Sequence, residues 1–256
     1  MIKAAFFDLD GTLLSHPTQA VSEGTVAALN ALRQKGIPCI AATGRHILEM
    51  DKLPIEQLRF DGYLTMNGQL VLDEKKEVLF GVPITGEAKA LLLQLFESRA
   101  LPVLLLEQDR IYLNHVDDVV IAAQETISTP IPELGIYRGA PLYQACLYLP
   151  PEGHPCLEAL RQQCQVTWWH SQGVDIVAKG GGKVAGIRRY LEANGIRREE
   201  TIAFGDGHND LEMLKFAGIG VAMGNAEEAV KAAADYVTAS VDEEGVAKAL
   251  KHFQLI

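Results

Sequence analysis

Phe6-Phe7-Asp8-Leu9-Asp10-Gly11-Thr12-Leu13 is the stretch that decides the fold. An apolar run, reading as a strand over Ala4–Asp10, drives into two carboxylates two residues apart and then into a Gly-Thr turn. A buried carboxylate is costly, and two that share a site repel each other. The pair is useful if a cation sits between them, or if one attacks while the other handles protons. A second acidic cluster, Gly205-Asp206-Gly207-His208-Asn209-Asp210, also follows an apolar run, Thr201-Ile202-Ala203-Phe204. Acidic clusters at two strand ends, most of the chain apart, point to one Mg2+ site assembled by the fold.

Working outward, the spacing of Val26, Leu29 and Leu32 predicts a helix from Ser22, its N-cap, to Gly36, its stop. Ile37–Ala42 reads as a second strand ending in Thr43-Gly44-Arg45, a short helix broken near Pro54 follows, and Asp61–Met66 reads as a third strand ending in Asn67-Gly68. This β-α-β-α-β order is that of a parallel sheet with crossover helices. The rhythm then changes. Gln69–Leu72 and Val78–Val82 read as a hairpin, Thr85–Arg99 as a helix, and the following segments as short strands and helices of an α+β unit with an antiparallel sheet. After Lys179-Gly180-Gly181-Gly182 the first rhythm returns, with a helix from Lys183 to Asn194, a strand at Thr201–Gly205, a helix at Asp210–Ala217, a strand at Ile219–Met223, a helix at Ala226–Ala234, a short strand at Tyr236–Thr238 and a last helix at Glu244–Phe253. The predicted fold class is α/β: a Rossmann-like parallel-sheet core, residues 1–81 and 180–256, with an inserted α+β domain, residues 82–179.

With 33 Asp and Glu against 23 Lys and Arg, the net charge is −10, which argues against nucleic acid as the main partner. A small phosphorylated metabolite remains open, because a metal and a few local cations reverse the field around a site. The four cysteines, Cys39, Cys146, Cys156 and Cys164, form no Cys-x-x-Cys pair, as expected of a reduced, intracellular protein. His154, Cys156, Cys164 and His170 fit no zinc spacing, and read instead as a helix and a strand with sulfurs in the core. Ala90–Phe96 and Leu101–Leu106 fall far short of the ~20 apolar residues that span a bilayer, and no signal-peptide pattern precedes Asp8. The expected setting is cytoplasmic, off the membrane, as a monomer or homodimer.

In an open α/β sheet, ligands gather beyond the carboxyl ends of the strands. Asp8 and Asp10 follow strand one, Thr43 follows strand two, and Asp206 follows the strand after the insert. Mg2+ takes about six oxygen ligands. Asp8, a backbone carbonyl near Asp10 and Asp206 supply three, while Asp210 is placed to hold a water or to pair with Lys183. The blander reading of Asp206 and Asp210, a turn and a helix cap, does not account for Asp8, Asp10 and Thr43 at the same edge. A carboxylate nucleophile suits phosphoryl transfer: it attacks in line and leaves an acyl phosphate that water hydrolyses. A second carboxylate gives a proton to the leaving oxygen and later takes one from water, and Asp10, beside the Gly11-Thr12 turn, suits that task. The Thr43 hydroxyl and Gly44 amide can receive phosphate oxygens, or form a plain strand-to-helix turn. Lys183 opens a helix whose dipole also favours an anion. Val184 after it excludes a Walker A loop. Arg45 is a candidate for an anionic substrate group. Trp168, Trp169 and His170 are candidates for a substrate pocket in the insert, or a pair with one ring in the core and one outside.

Together these residues resemble the haloacid dehalogenase superfamily of phosphatases. Asp8-Leu9-Asp10-Gly11-Thr12-Leu13 looks like its first motif, Thr43-Gly44-Arg45 its second, Lys183 its third and Gly205–Asp210 its fourth. The insert between the second and third resembles the C2-type cap of the Cof-like subfamily, which Asn67-Gly68 also fits. The resemblance implies Asp8 as nucleophile, Asp10 as acid/base, Thr43 and Lys183 as phosphate ligands, Asp8, Asp10 and Asp206 around Mg2+, and Asn209 and Asp210 in support of metal and phosphate loop. Lys183-Val184 departs from the Lys-Gly usual in the subfamily. The activity implied is a Mg2+-dependent phosphatase of a small phosphorylated metabolite of the sugar phosphate, FMN or pyridoxal phosphate class. The alternatives are a phosphomutase using the same aspartyl phosphate, or a non-catalytic phosphometabolite sensor.

Overall fold

A computed structural model describes residues 1–126, 129–150 and 153–256. They divide into two compact units, Met1–Phe80 with Gly182–Ile256, and Gly81–Gly181. The chain opens with β1 (Ala4–Phe7), α1 (Glu23–Gln34), β2 (Cys39–Ala42), α2 (Ile47–Met50), β3 (Gly62–Thr65), β4 (Leu70–Asp73) and β5 (Val78–Gly81). The inserted stretch runs α3 (Gly86–Ser98), β6 (Val103–Leu106), β7 (Ile111–Leu113), α4 (Asp118–Thr126), β8 (Gln144–Tyr148), α5 (Cys156–Gln163), β9 (Cys164–His170) and β10 (Gly173–Ala178). It returns through α6 (Lys183–Asn194), β11 (Thr201–Gly205), α7 (Leu211–Phe216), β12 (Ile219–Ala222), α8 (Glu228–Lys231), β13 (Tyr236–Val237) and α9 (Gly245–His252).

In the first unit the sheet order is β13-β12-β11-β1-β2-β3-β4-β5. Every pairing from β13 to β3 is parallel, and β4 turns back antiparallel on β3. The strands β1, β2 and β11 are buried on both sides, which is why they read as unbroken apolar runs. Phe6 meets Tyr190 of α6 edge-on, and α6 and α7 cover that face with Ile187, Leu191, Met213 and Leu214. Side chains alternate across a strand, so Phe7 and Cys39 point the other way. There Phe7 stacks on Phe204 at 4.9 Å, Cys39 lies against Leu29 of α1, and α9 packs on α1. From β1 the chain builds outward in one direction through β2 and β3, and after the insert in the other through β11, β12 and β13. The order reverses between β1 and β11, the crevice where open α/β sheets take their ligands.

The second unit is the antiparallel sheet β7-β6-β8-β10-β9. The helices α3 and α5 bury Leu92, Leu95, Phe96, Leu157 and Leu160 against Val103, Leu105, Leu147 and Ile176. Cys156 and Cys164 belong to this apolar core, as the reading of a helix and strand expects. Among the described residues no helix is long and apolar enough to cross a membrane.

Element boundaries differ from the sequence reading for local reasons. Strand β2 begins at Cys39 rather than Ile37, because the Ile37 amide closes α1 on the Leu32 carbonyl and Pro38 has no N–H to offer a ladder. The helix expected over Ala226–Ala234 shrinks to α8, because Asp235 pairs both its amide and its carboxylate with Gly220 and draws the chain to the sheet edge.

Candidate active site

The site is built by the loops that leave β1, β2, β3, β11 and β12, together with the first turn of α6. Asp8 extends the β1 ladder by donating its amide to the Phe204 carbonyl, and its side chain is buried. The loop then closes tightly, with the Leu13 and Leu14 amides both on the Leu9 carbonyl. Gly11 adopts φ +79°, and a Cβ there would lie 2.1 Å from Asp206 Oδ2, so glycine is required both by conformation and by space. Thr12 donates its hydroxyl to Asp206 Oδ1 at 2.8 Å. Asn225, in the loop after β12, donates Nδ2 to the Gly11 carbonyl at 2.9 Å and to Asp206 Oδ2 at 3.2 Å.

Lys183 is the first residue of α6, and its side chain is 1% exposed. Its Nζ lies 2.6 Å from Asp8 Oδ1 and 2.6 Å from Asp210 Oδ1. Asp210, fully buried, accepts the Asp206 and Gly207 amides on its other oxygen. The start of α6 is fixed by Gly68 (φ +80°), where a Cβ would come within 2.5 Å of the Gly182 carbonyl. Thr43 is buried at the end of β2, and its hydroxyl accepts the Arg45 amide at 3.1 Å. Gly44 packs beside Asn67, whose left-handed backbone (φ 56°) lets its amide reach the Thr43 carbonyl. Asn209 donates Nδ2 to Asn67 Oδ1 at 3.1 Å, tying the β11 loop to the β2 and β3 loops.

Asp8, Asp206 and Asp210 each present an oxygen within 4.8 Å of the others. Burial, aided by Asp210 and opposed by Lys183, holds the Asp8 carboxyl well above the usual carboxylate range. Burial likewise pushes Asp206 up to about 7, against the pull of the Thr12 hydroxyl. Burial disfavours the Lys183 charge, but Asp210 and Asp8 outweigh it and raise its pKa. One lysine thus faces three carboxylates, and the excess negative charge with all-oxygen donors suits a hard divalent cation. Asp10 stands apart from this trio. Arg45 clamps it with Nε on Oδ2 at 2.7 Å and Nη2 on Oδ1 at 2.8 Å.

Of the residues singled out in the sequence, Asp8, Asp10, Thr43, Gly44, Arg45, Lys183, Asp206, Asn209 and Asp210 all lie in the first unit on these loops and the α6 turn. Between the two roles left open for Asp210, the structure has it paired with Lys183. The Arg45 guanidinium is committed to Asp10. His170 lies on β9 of the second unit, where its Nδ1 accepts the Gln172 amide. Trp169 is half-buried and packs edge-on against Tyr148 while Trp168 is 40% exposed, so neither ring lies in the core of the second unit. Sequence reasoning missed the link from Thr12 to Asp206, the placement of Asn67 beside Gly44, and Asn225. The strand-end rule that located Asp206 locates Asn225 too, since it lies three residues past the apolar run Ile219–Ala222.

Residues 5–250 match the family of haloacid dehalogenase-like hydrolases. YbhA, a pyridoxal phosphate phosphatase of Escherichia coli (strain K12), is 29% identical over 94% of this chain and 94% of its own. Among solved structures, the phosphatase BT1666 of Bacteroides thetaiotaomicron superposes with a TM-score of 0.90 at 32% identity, covering 100% of this chain and 96% of its own. The subclass IIB sugar phosphatase BT4131 superposes with a TM-score of 0.87 at 35% identity, covering 99% of this chain and 100% of its own.

Proposed function

This chain belongs to the haloacid dehalogenase-like hydrolases, and on that premise we propose that it is a Mg2+-dependent phosphatase of small phosphorylated metabolites that works through a phosphoaspartate on Asp8. The observation that carries the reading is the buried Asp8 carboxylate, with one oxygen held 2.6 Å from Lys183 at the β1 and β11 crevice. Lys183 takes Oδ1, which leaves Oδ2 to attack phosphorus in line. The bond from Asp8 to phosphorus forms as the bond to the leaving oxygen breaks, and Asp10 gives that oxygen a proton. Water then attacks the phosphorus, Asp10 takes its proton, and the Asp8 carboxylate and inorganic phosphate are released. Lys183, the Thr43 hydroxyl and the Gly44 amide receive the phosphate oxygens. Asn209 steadies the phosphate loop through Asn67. Asp8 and Asp206 would hold Mg2+, with a carbonyl near Asp10 and with Asp210 behind them. When bound, the metal neutralises charge on the phosphate and on the attacking carboxylate.

The substrate class is a sugar phosphate or a pyridoxal phosphate, as the names of the relatives support, with FMN as a third candidate. The inserted residues 82–179 act in this reading as a C2-type cap that chooses among them, with His170 as a candidate substrate contact and Arg45 as another once it releases Asp10. The net charge of −10 fits a cytoplasmic enzyme of small metabolites better than one of nucleic acid. The test is phosphate release from a panel of phosphorylated metabolites, with Mg2+ and with chelator, using Asp8→Asn as blank. Release that needs Mg2+ and is lost in Asp8→Asn is expected. Release that persists in Asp8→Asn overturns the phosphoaspartate, and release indifferent to chelator overturns the metal.

A further inference from the structure

Asn225 spends its whole amide on three separate segments. One Nδ2 hydrogen goes to the Gly11 carbonyl at 2.9 Å and the other to Asp206 Oδ2 at 3.2 Å. Its Oδ1 accepts the Val241 amide at 2.9 Å, from the turn that leads into α9. The loops after β1 and β11 lie side by side at the point where strand order reverses, and no peptide bond joins them there. Among the described residues, Asn225 and the Thr12 hydroxyl donate to the Asp206 carboxylate, one on each oxygen. A carboxylate held on both oxygens cannot rotate freely, and ligand groups oriented in advance bind metal more tightly.

We infer that Asn225 is a positioning residue for the cation site: it clasps the Gly11 and Asp206 loops together and fixes the Asp206 carboxylate, with Val241 as its anchor. The inference rests on the reading of this cluster as a Mg2+ site. It depends on the amide and not on the size of the side chain. Aspartate at 225 would set an acceptor oxygen in place of Nδ2, against the Gly11 carbonyl and Asp206 Oδ2, both acceptors themselves. Asn225 is itself exposed, but Gly11 and Val241 are buried, so its truncation carries a folding cost as well, which unfolding in chelator reads apart from metal binding.

The test is isothermal titration of the full chain with Mg2+, alongside thermal unfolding in chelator. Asn225→Ala is expected to weaken Mg2+ by about tenfold or more, as loss of an outer-shell partner does, with the metal-free chain still folded at the assay temperature and turnover recovering at high Mg2+. Asn225→Asp is expected to bind more weakly still. Val241→Pro removes the anchoring N–H together with a buried valine side chain, at the first position of a turn where proline is tolerated, and is expected to weaken Mg2+ by a smaller factor. If wild type binds Mg2+ and Asn225→Ala binds it equally well, the inference falls and the site stands. Tighter binding by Asn225→Asp also overturns it. A wild-type chain that takes up no Mg2+ overturns the metal site, and the inference with it.

Discussion

The ammonium of Lys183 lies 2.6 Å from Oδ1 of Asp8, and both side chains are buried. This lysine comes from the start of a helix and the aspartate from the end of a strand, 175 residues apart. Their contact compensates a charge that neither could carry alone in the interior.

Replacing Lys183 by Met leaves Asp8 and Asp210 buried without their cation. Breaking a buried pair costs about 3–5 kcal/mol, and loss of a phosphate-facing donor costs about 10²–10³-fold in turnover. Urea unfolding in chelator and phosphate release in Mg2+ measure the two effects separately. Wild-type turnover in Lys183→Met would remove the lysine from the phosphate site.

The metal-free protein is expected to lose stability as pH rises. Asp206 is pushed up to about 7 by burial, and Asp8 is raised as well, against about 3.9 for an unfolded aspartate. Between those values the folded chain keeps protons that the unfolded chain has shed, so stability falls with pH. The contribution of Asp206 is full below about 3.9 and lost as pH passes about 7. Mg2+ must displace these protons, so its affinity rises over the same window and binding releases protons. Unfolding in chelator at pH 5 and pH 8, and titrations in buffers of different ionisation enthalpy, check both signs.

Gly11→Ala sets a Cβ 2.1 Å from Asp206 Oδ2 at a φ of +79°. Overpacking of this kind costs about 1–3 kcal/mol. A carboxylate displaced by about 1 Å costs about 10²-fold in rate. A melting curve and a Mg2+ titration of turnover read the two effects, and a variant that keeps wild-type turnover would show that the loop yields without moving Asp206.

Asp61 provides a control remote from the chemistry. It takes Arg33 on both oxygens and also accepts the Cys39 amide, at the opposite end of β2 from Thr43. Asp61→Asn is expected to cost about 1–3 kcal/mol of stability while leaving the KM for the best phosphate ester unchanged. Denaturant unfolding and steady-state kinetics test this together.

Much of the site was legible because a carboxylate at the end of a buried strand is expensive enough to need a reason. That argument found Asp8 and Asp206, and the helix start found Lys183. The alternation of strand and helix also revealed the parallel core and the antiparallel insert. The clamp of Arg45 on Asp10 was not legible, since it depends on rotamers of residues 35 positions apart. The strand-end rule reaches Asn225 but not its partners, which lie 214 positions back and 16 ahead. Periodicity reports which face a residue takes, but it is silent on which distant loop that face meets. The short reach of α8 escaped for the same reason, being set by the grip of Asp235 on Gly220.

The position of β1 in the sheet has a consequence for synthesis. Ala4 of this strand pairs with Thr201 of β11, so at about 5–20 residues per second the ribosome delivers the second neighbour about 10–40 s after the first strand emerges. Through that interval Ala4–Phe7, a wholly apolar strand, has an open side that can pair with another nascent chain. The delay also keeps Asp8 apart from Asp206 and Lys183 until most of the chain is made, so a chain arrested midway carries the nucleophile without the partners that would arm it.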